Sequence, residues 1–453
     1  MKRKLIVFSV LIALVWSMVY GQDTISSGEK EEKEVKGFNF VPLPVIGYNV
    51  DIGFQYGLIV NFFNYGDGSL YPDYKYSLYT EFSRTTKGSG VNQLFFDSKY
   101  LIPGNIRITA DLSYLTELTL NFYGFNGYDA VYHPEFIDEG SEEYQSRVFY
   151  NQERKFLRFT SDLQGNIGIK NMKWLGGIGY FNIKMGGVDT ERLNKGKSDT
   201  KRLPDTTLLI DKYQEWGIIG EQETQGGIIP SIKTGLIYDS RDNEPNPMKG
   251  IWTEALLFYV PKIAGNTDFS YAKLAITHRQ YFTLIPKNLN LVYRLGYQGT
   301  IAGKSPYFMQ PYMITSFAKV TTTDGLGGAK SLRGILRNRV VGDAIAFANI
   351  EARYKFRHAT LFGSNIYWSI NLFADAGRVV KKMELPADLD SKLGPNDVFS
   401  DFFDPGTEKI HLTAGGGLQL VFDQNTVINF EYGRAFDQRD GNGGLYIGIG
   451  FLF

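Results

Sequence analysis

The chain has 453 residues with 48 Lys+Arg against 48 Asp+Glu, so it is formally neutral and lacks the basic excess a nucleic-acid binder normally carries. The absence of Cys excludes a disulfide scaffold, a zinc–thiolate site and a lipid anchor on Cys. Its 50 Gly, 29 Tyr and 33 Phe suit strands with aromatic ends, and no Pro/Ser-rich linker divides it after residue 40, which favours one large unit.

At the N-terminus, Lys2, Arg3 and Lys4 precede an apolar run from Leu5 to Val19, and Val19-Tyr20-Gly21 offers small residues at cleavage spacing. Residues 1–21 therefore read as a secretory signal peptide, with Gln22 as the mature start and 22–37 as a charged periplasmic tail. The run is short for a membrane-spanning helix, and no later segment approaches the length one requires. A membrane location for 38–453 then demands a closed barrel, because lipid offers no partner to open backbone groups.

From residue 38 the chain alternates with period two, broken by turn residues. Strands are predicted over 38–47, 51–64, 73–85, 90–102, 104–117, 152–167, 171–187, 225–240, 249–261, 268–284, 288–302, 343–357, 364–379, 409–423, 426–437 and 443–453. In the thirteenth, Ile366, Trp368, Ile370, Leu372 and Ala374 share one face, and Ser369, Asn371 and Asp375 the other. Arg107 to Tyr114 and Lys155 to Ile167 alternate likewise, with charges of both signs on the polar face. Long strands of this kind fit lipid outside and a wet lumen inside. The long segments 118–151, 188–224, 303–342 and 380–408 all fall after odd strands, whereas tight links such as Pro103-Gly104, Lys170 and Asp423-Gln424-Asn425 follow even ones. The expected fold is thus all-β: a closed antiparallel transmembrane barrel of sixteen strands, with long extracellular loops and short periplasmic turns, in the outer membrane of a Gram-negative bacterium. In the last strand Leu445, Ile447, Ile449, Phe451 and Phe453 form an apolar face opposite Gly448 and Gly450. With its terminal aromatic, the set Gly448, Phe451 and Phe453 resembles the C-terminal signal by which barrel-assembly machinery receives outer-membrane proteins.

Alternation also turns Glu351 and Asp375, on adjacent strands, into the lumen. Two confined carboxylates repel unless a cation joins them. The preceding long loop supplies Ser331-Leu332-Arg333-Gly334, with Arg337 and Arg339 close behind. A planar guanidinium bridges two carboxylates, and the following Gly permits close backbone approach. The 303–342 loop is therefore expected to fold inward, pinned by Arg333 to Glu351 and Asp375.

Leu332-Arg333-Gly334, then Glu351 with Arg353, then Phe373-Ala374-Asp375-Ala376-Gly377, resembles the barrel of the BamA/TamA assembly-factor superfamily, the bacterial surface-antigen family. The Tyr238-Asp239-Ser240-Arg241-Asp242-Asn243 turn with Pro247 and Gly250 is similar to that family's turn between strands eight and nine. The resemblance implies that Arg333 and Gly334 sit at the tip of the sixth extracellular loop and lock against Glu351 and Asp375. Members that insert proteins carry periplasmic POTRA domains, and 22–37 is too short for one, so the chain resembles a POTRA-less branch.

Other signals carry less. Gly325 to Ser331 lacks the Gly before Lys and the following helix of a phosphate loop. The acidic stretch Asp397 to Asp404 reads as solvated loop charge rather than a calcium site, and no metal or cofactor is expected. His411 with Thr413 and Glu431 faces inward without a nucleophilic arrangement. The functional expectation is a non-enzymatic barrel assisting protein assembly or export at the outer membrane. Pro42 and Pro44 in the first strand remove ladder donors and thin its seam with the last. A diffusion channel and a surface lipid-modifying enzyme are the alternatives. Expected partners are outer-membrane lipid and lipopolysaccharide, the barrel-assembly machinery during biogenesis, and further periplasmic or outer-membrane proteins, with no nucleic acid.

Overall fold

Alternating side chains leave each strand with one apolar and one mixed face, and a sheet of such strands buries both only by closing on itself. The computed structural model describes residues 36–70, 73–244, 246–263, 269–316, 325–361, 364–395, 397–422, 426–449 and 452. Sixteen strands close into one antiparallel barrel. They are β1 (Phe38–Asn49), β2 (Gly53–Asn64), β3 (Tyr76–Thr85), β4 (Gly90–Ile102), β5 (Ile106–Asn121), β6 (Asn151–Asn166), β7 (Met172–Gly186) and β8 (Gly226–Asp239). The second half comprises β9 (Gly250–Val260), β10 (Tyr271–Ile285), β11 (Leu289–Gly303), β12 (Ala344–Leu361), β13 (Ser364–Lys381), β14 (His411–Phe422), β15 (Thr426–Ala435) and β16 (Gly444–Ile449). Each predicted strand is present, most within two or three residues of its expected ends. The expected signal peptide, most of the expected charged tail, and Phe451 and Phe453 lie outside the described residues; Gly448 lies in β16.

Alternation resolves into inside and outside as expected. On β13, Leu372 is 65 % exposed on the outer wall, whereas Asn371 and Phe373 beside it are buried within. No helix among the described residues is long and apolar enough to cross a membrane.

Long connections gather at one end, over 122–150, 187–225, 304–343 and 382–410; this is the loop end. The sorting is less uniform than expected. The loop-end links β1–β2 and β3–β4 are tight, over 50–52 and 86–89, while the turn end carries longer links over 65–75 and 240–249.

The interior departs from a wet lumen. In the loop-end half, Phe156, Phe181 and Phe258 point inward from β6, β7 and β9 and pack with loop residues including Phe122, Tyr213, Trp216, Tyr307 and Phe403 into one apolar core. Edge-to-face contacts, such as Phe122 to Tyr213 at 5.1 Å, order it. Ions and amides line the other half, where Arg158 donates from Nε to Asp111 Oδ1 at 2.8 Å and Lys233 Nζ meets Asp162 Oδ2 at 2.7 Å. Loops that bury their aromatics in the mouth keep water out of it, and many inward residues near the loops are apolar for that reason.

Candidate functional site

The 304–343 connection runs into the barrel as a preorganised tip. Leu326 and Val340 form an isolated antiparallel bridge, and Ser331 Oγ accepts from Gly327 N at 2.9 Å while donating toward Gly325 O and Gly327 O at 3.1 Å. Leu326, Leu332, Ile335 and Val340 pack against Ile345, Phe347 and Val379 of the wall, so the tip is anchored by apolar burial before any charge is counted.

Arg333 stands at its end, fully buried. It donates to Asp375 from Nε at 3.0 Å, from Nη2 at 3.1 Å and from its backbone N at 3.0 Å. Nη1 donates to Glu351 Oε2 at 3.1 Å and to Glu431 Oε1 at 3.0 Å. The guanidinium carbon lies 3.4 Å from the ring centroid of Phe373, which is the Cα partner of Glu351 and lies two residues before Asp375 on β13. Thr413 Oγ1 donates to Arg333 O at 2.5 Å. Gly334 has φ +98° and lies on Gly433, where a Cβ would collide with backbone, and its N donates to Tyr446 Oη at 3.0 Å. Only glycine fits there.

Neighbouring groups complete the charge balance. Arg353 Nε donates to Glu351 Oε1 at 2.8 Å, and Asn371 Nδ2 donates to Glu351 Oε1 at 3.1 Å and Glu431 Oε1 at 2.6 Å. Asn349 Nδ2 donates to Ser331 O at 2.7 Å and accepts from Arg294 Nε at 2.8 Å. The structure thus brings Arg333, Gly334, Glu351 and Asp375 into one cluster and adds Glu431, Asn371, Thr413 and Tyr446 from β13 to β16. Sequence reading placed Glu431 and Thr413 inward but did not join them to Arg333. Gly415, Gly417 and Gly433 are a signal that could have: a Cβ at Gly415 would meet Phe373, one at Gly417 would meet Asn371 and Glu431, and one at Gly433 would meet the Arg333-Gly334 backbone.

The other two arginines extend the attachment across the lumen. Arg337 pairs with Glu117 of β5, which also takes Arg154 Nε at 2.8 Å. Arg339 donates to Gly127 O at 2.8 Å, Ala130 O at 2.9 Å and Arg439 O at 2.9 Å. Nearby, His411 Nδ1 lies 2.6 Å from Asp440 and Nε2 3.1 Å from Glu408, with Tyr128 stacked on the ring at 3.8 Å. The imidazole thereby joins three loops, and Thr413 and Glu431 serve Arg333 instead.

The turn end has its own closure. In the 240–249 turn, Arg241 Nε holds Asp239 Oδ1 at 2.8 Å and Asp242 Oδ1 accepts from Met248 N at 3.0 Å. From this folded base Glu244 reaches Arg107 of β5 at 3.1 Å, while buried Asn246 Nδ2 donates to Tyr367 Oη of β13 at 2.6 Å. Asn290 of β11 donates to Pro247 O at 3.4 Å. A link between two adjacent strands so touches the wall on both sides of the barrel. Burial alone would raise the Glu244 carboxyl, but Arg107 and Lys99 bring it down to about 2.

The seam between first and last strands is short among the described residues. Among the described residues β1 pairs with β16 through Tyr48–Ile447 and Asn49–Tyr446, with one further bond from Val50 N to Leu445 O at 3.3 Å, while β1 and β2 pair over all of Phe38–Asn49.

A family model, the Omp85 superfamily domain, matches residues 54–453. Among solved structures, BamA from Haemophilus ducreyi lacking POTRA domains 1-3 is 15% identical, with a TM-score of 0.51 over 92% of this chain and 71% of that one. CdiB from Escherichia coli is 11% identical, with a TM-score of 0.52 over 94% of this chain and 67% of that one. At such identities these neighbours share the fold. No protein of curated function matches the chain. The family match runs from the second strand to the last residue, across the whole wall that holds the Arg333 cluster, and the chain belongs to the Omp85 superfamily.

Proposed function

We propose that this barrel resides in the outer membrane of a Gram-negative bacterium, loop end outward, and assists the assembly or export of other proteins rather than passing solutes. The observation that carries this reading is the interior: the Arg333 loop, held by Asp375, Glu351 and Glu431, fills the lumen beneath an aromatic dome. A diffusion channel needs that volume open. In this reading Arg333, Gly334, Glu351 and Asp375 lock the loop, and the short β1–β16 pairing is the edge that opens to a client. Gly448, Phe451 and Phe453 serve the chain's own insertion by the assembly machinery. Substrate delivery falls to separate periplasmic or outer-membrane partners, and the charge clusters serve attachment rather than catalysis.

A seam lock tests it. The chain has no Cys, so Tyr48→Cys with Ile447→Cys places a single disulfide across two Cα partners. Oxidised protein is expected to fold and insert normally but to fail to restore the outer-membrane protein profile of cells depleted of the wild type, with recovery on reduction. Full complementation by the oxidised form would exclude an opening seam. Loss of the protein without any change in outer-membrane or exported proteins would exclude the assembly role itself.

A further inference from the structure

Two lysines face each other on the outer wall near the loop end. Lys155 of β6 and Lys184 of β7 are Cα partners, and Thr116 of β5 continues the same outward row. Both lysines are exposed, and among the described residues neither ammonium has an ion pair. Like charges directly opposite in a sheet repel, so the pair destabilises the wall unless an anion lies between them. The carboxylate that could have served, Glu153 two residues up β6, is taken by Arg192 and by Asp189 N at 3.2 Å.

Toward the barrel middle the rows change character. The next is Tyr114–Leu157–Asn182, and the one after it Leu112–Phe159–Tyr180. Leu112, Tyr114, Phe159 and Tyr180 are all exposed. Cations, then an amide and a phenol, then a mainly apolar row is the order of groups met on passing from lipid head groups into acyl chains.

We propose that Lys155 and Lys184, with Thr116 and Asn182 beside them, bind the phosphate of a lipid in the loop-side leaflet, its chains lying along Phe159 and Tyr180. The phosphate replaces ammonium repulsion with two charge-assisted hydrogen bonds. Inorganic phosphate shares the head-group chemistry, but the apolar rows directly beneath assign the site to a lipid. The inference rests on the reading that this wall stands in a membrane.

The test uses the full chain in phosphatidylcholine nanodiscs, with bis-phosphorylated lipid A as probe and native mass spectrometry as readout. Lys155→Gln with Lys184→Gln is expected to weaken retention of the probe on the order of tenfold, Lys155→Arg with Lys184→Arg to preserve it, and dephosphorylated lipid A to bind both proteins equally weakly. Equal retention of the probe by wild type and the Gln double variant would overturn the site. Displacement by equimolar inorganic phosphate would overturn its assignment to a lipid. Failure of every variant to enter nanodiscs would instead overturn the membrane reading beneath it.

Discussion

Arg333 places a full charge where water does not reach, and three carboxylates from three strands receive it. Removing the cation leaves those acids buried against one another, a change that costs about 3–5 kcal/mol in comparable buried pairs. Arg333→Ala is therefore expected to lower sharply the temperature at which the folded band disappears in semi-native electrophoresis. Glu431→Gln should behave differently. Its side-chain oxygen still accepts from Arg333 and Asn371 while one of three like charges disappears, so the change stays within about 1 kcal/mol. A Glu431→Gln barrel as fragile as Arg333→Ala would contradict this division of roles. Alternation sufficed to read Glu351 and Asp375 as inward neighbours, and the Arg in the preceding loop supplied the cation they need. Linking Glu431 to them needed the register of β13, β14 and β15, in which Asn371, Gly417 and Glu431 fall in one row. No local pattern encodes that row.

Among the elements, the strands were legible because period two and length are both local properties of the chain. The connections were not, because their folds depend on partners far away in sequence. Tyr213, within the helix Leu209–Glu215, and Trp216 at its end gain meaning only when Phe402 and Phe403 arrive from another loop. The 240–249 turn shows the same limit: its motif was recognisable, its reach to β5 and β13 was not. Its grip gives a prediction at this scale. Asn246→Ala with Glu244→Ala leaves Tyr367 Oη and Arg107 short of a partner, and backbone exchange over 246–249 should rise about tenfold while β10 and β11 stay protected. Unchanged exchange would mean that the turn is held by its own folded base alone. Because the Glu244 carboxyl is depressed to about 2, its contribution is complete above the ordinary carboxylate range and fades only as pH falls from there toward that value. Between neutral pH and about pH 5 the turn should hold, with no change beyond the intrinsic pH dependence of exchange.

Across the whole molecule, closure of the sheet is combined with closure of its interior. The dome of loop aromatics and the Arg333 loop fill the loop end, the 240–249 turn spans the other, and among the described residues the shortest strand pairing is at the β1–β16 seam. A lumen expected from sequence to be wet is largely apolar in its loop-end half, apart from ion clusters such as Glu117 with Arg154 and Arg337, because many inward positions near the loops bury loop side chains. The barrel's resistance to ion flow tests this arrangement most directly. Purified protein in planar bilayers should show no sustained open level at neutral pH, and Arg333→Ala should introduce long-lived openings. A steady, large conductance from the wild type, unchanged by Arg333→Ala, would contradict it.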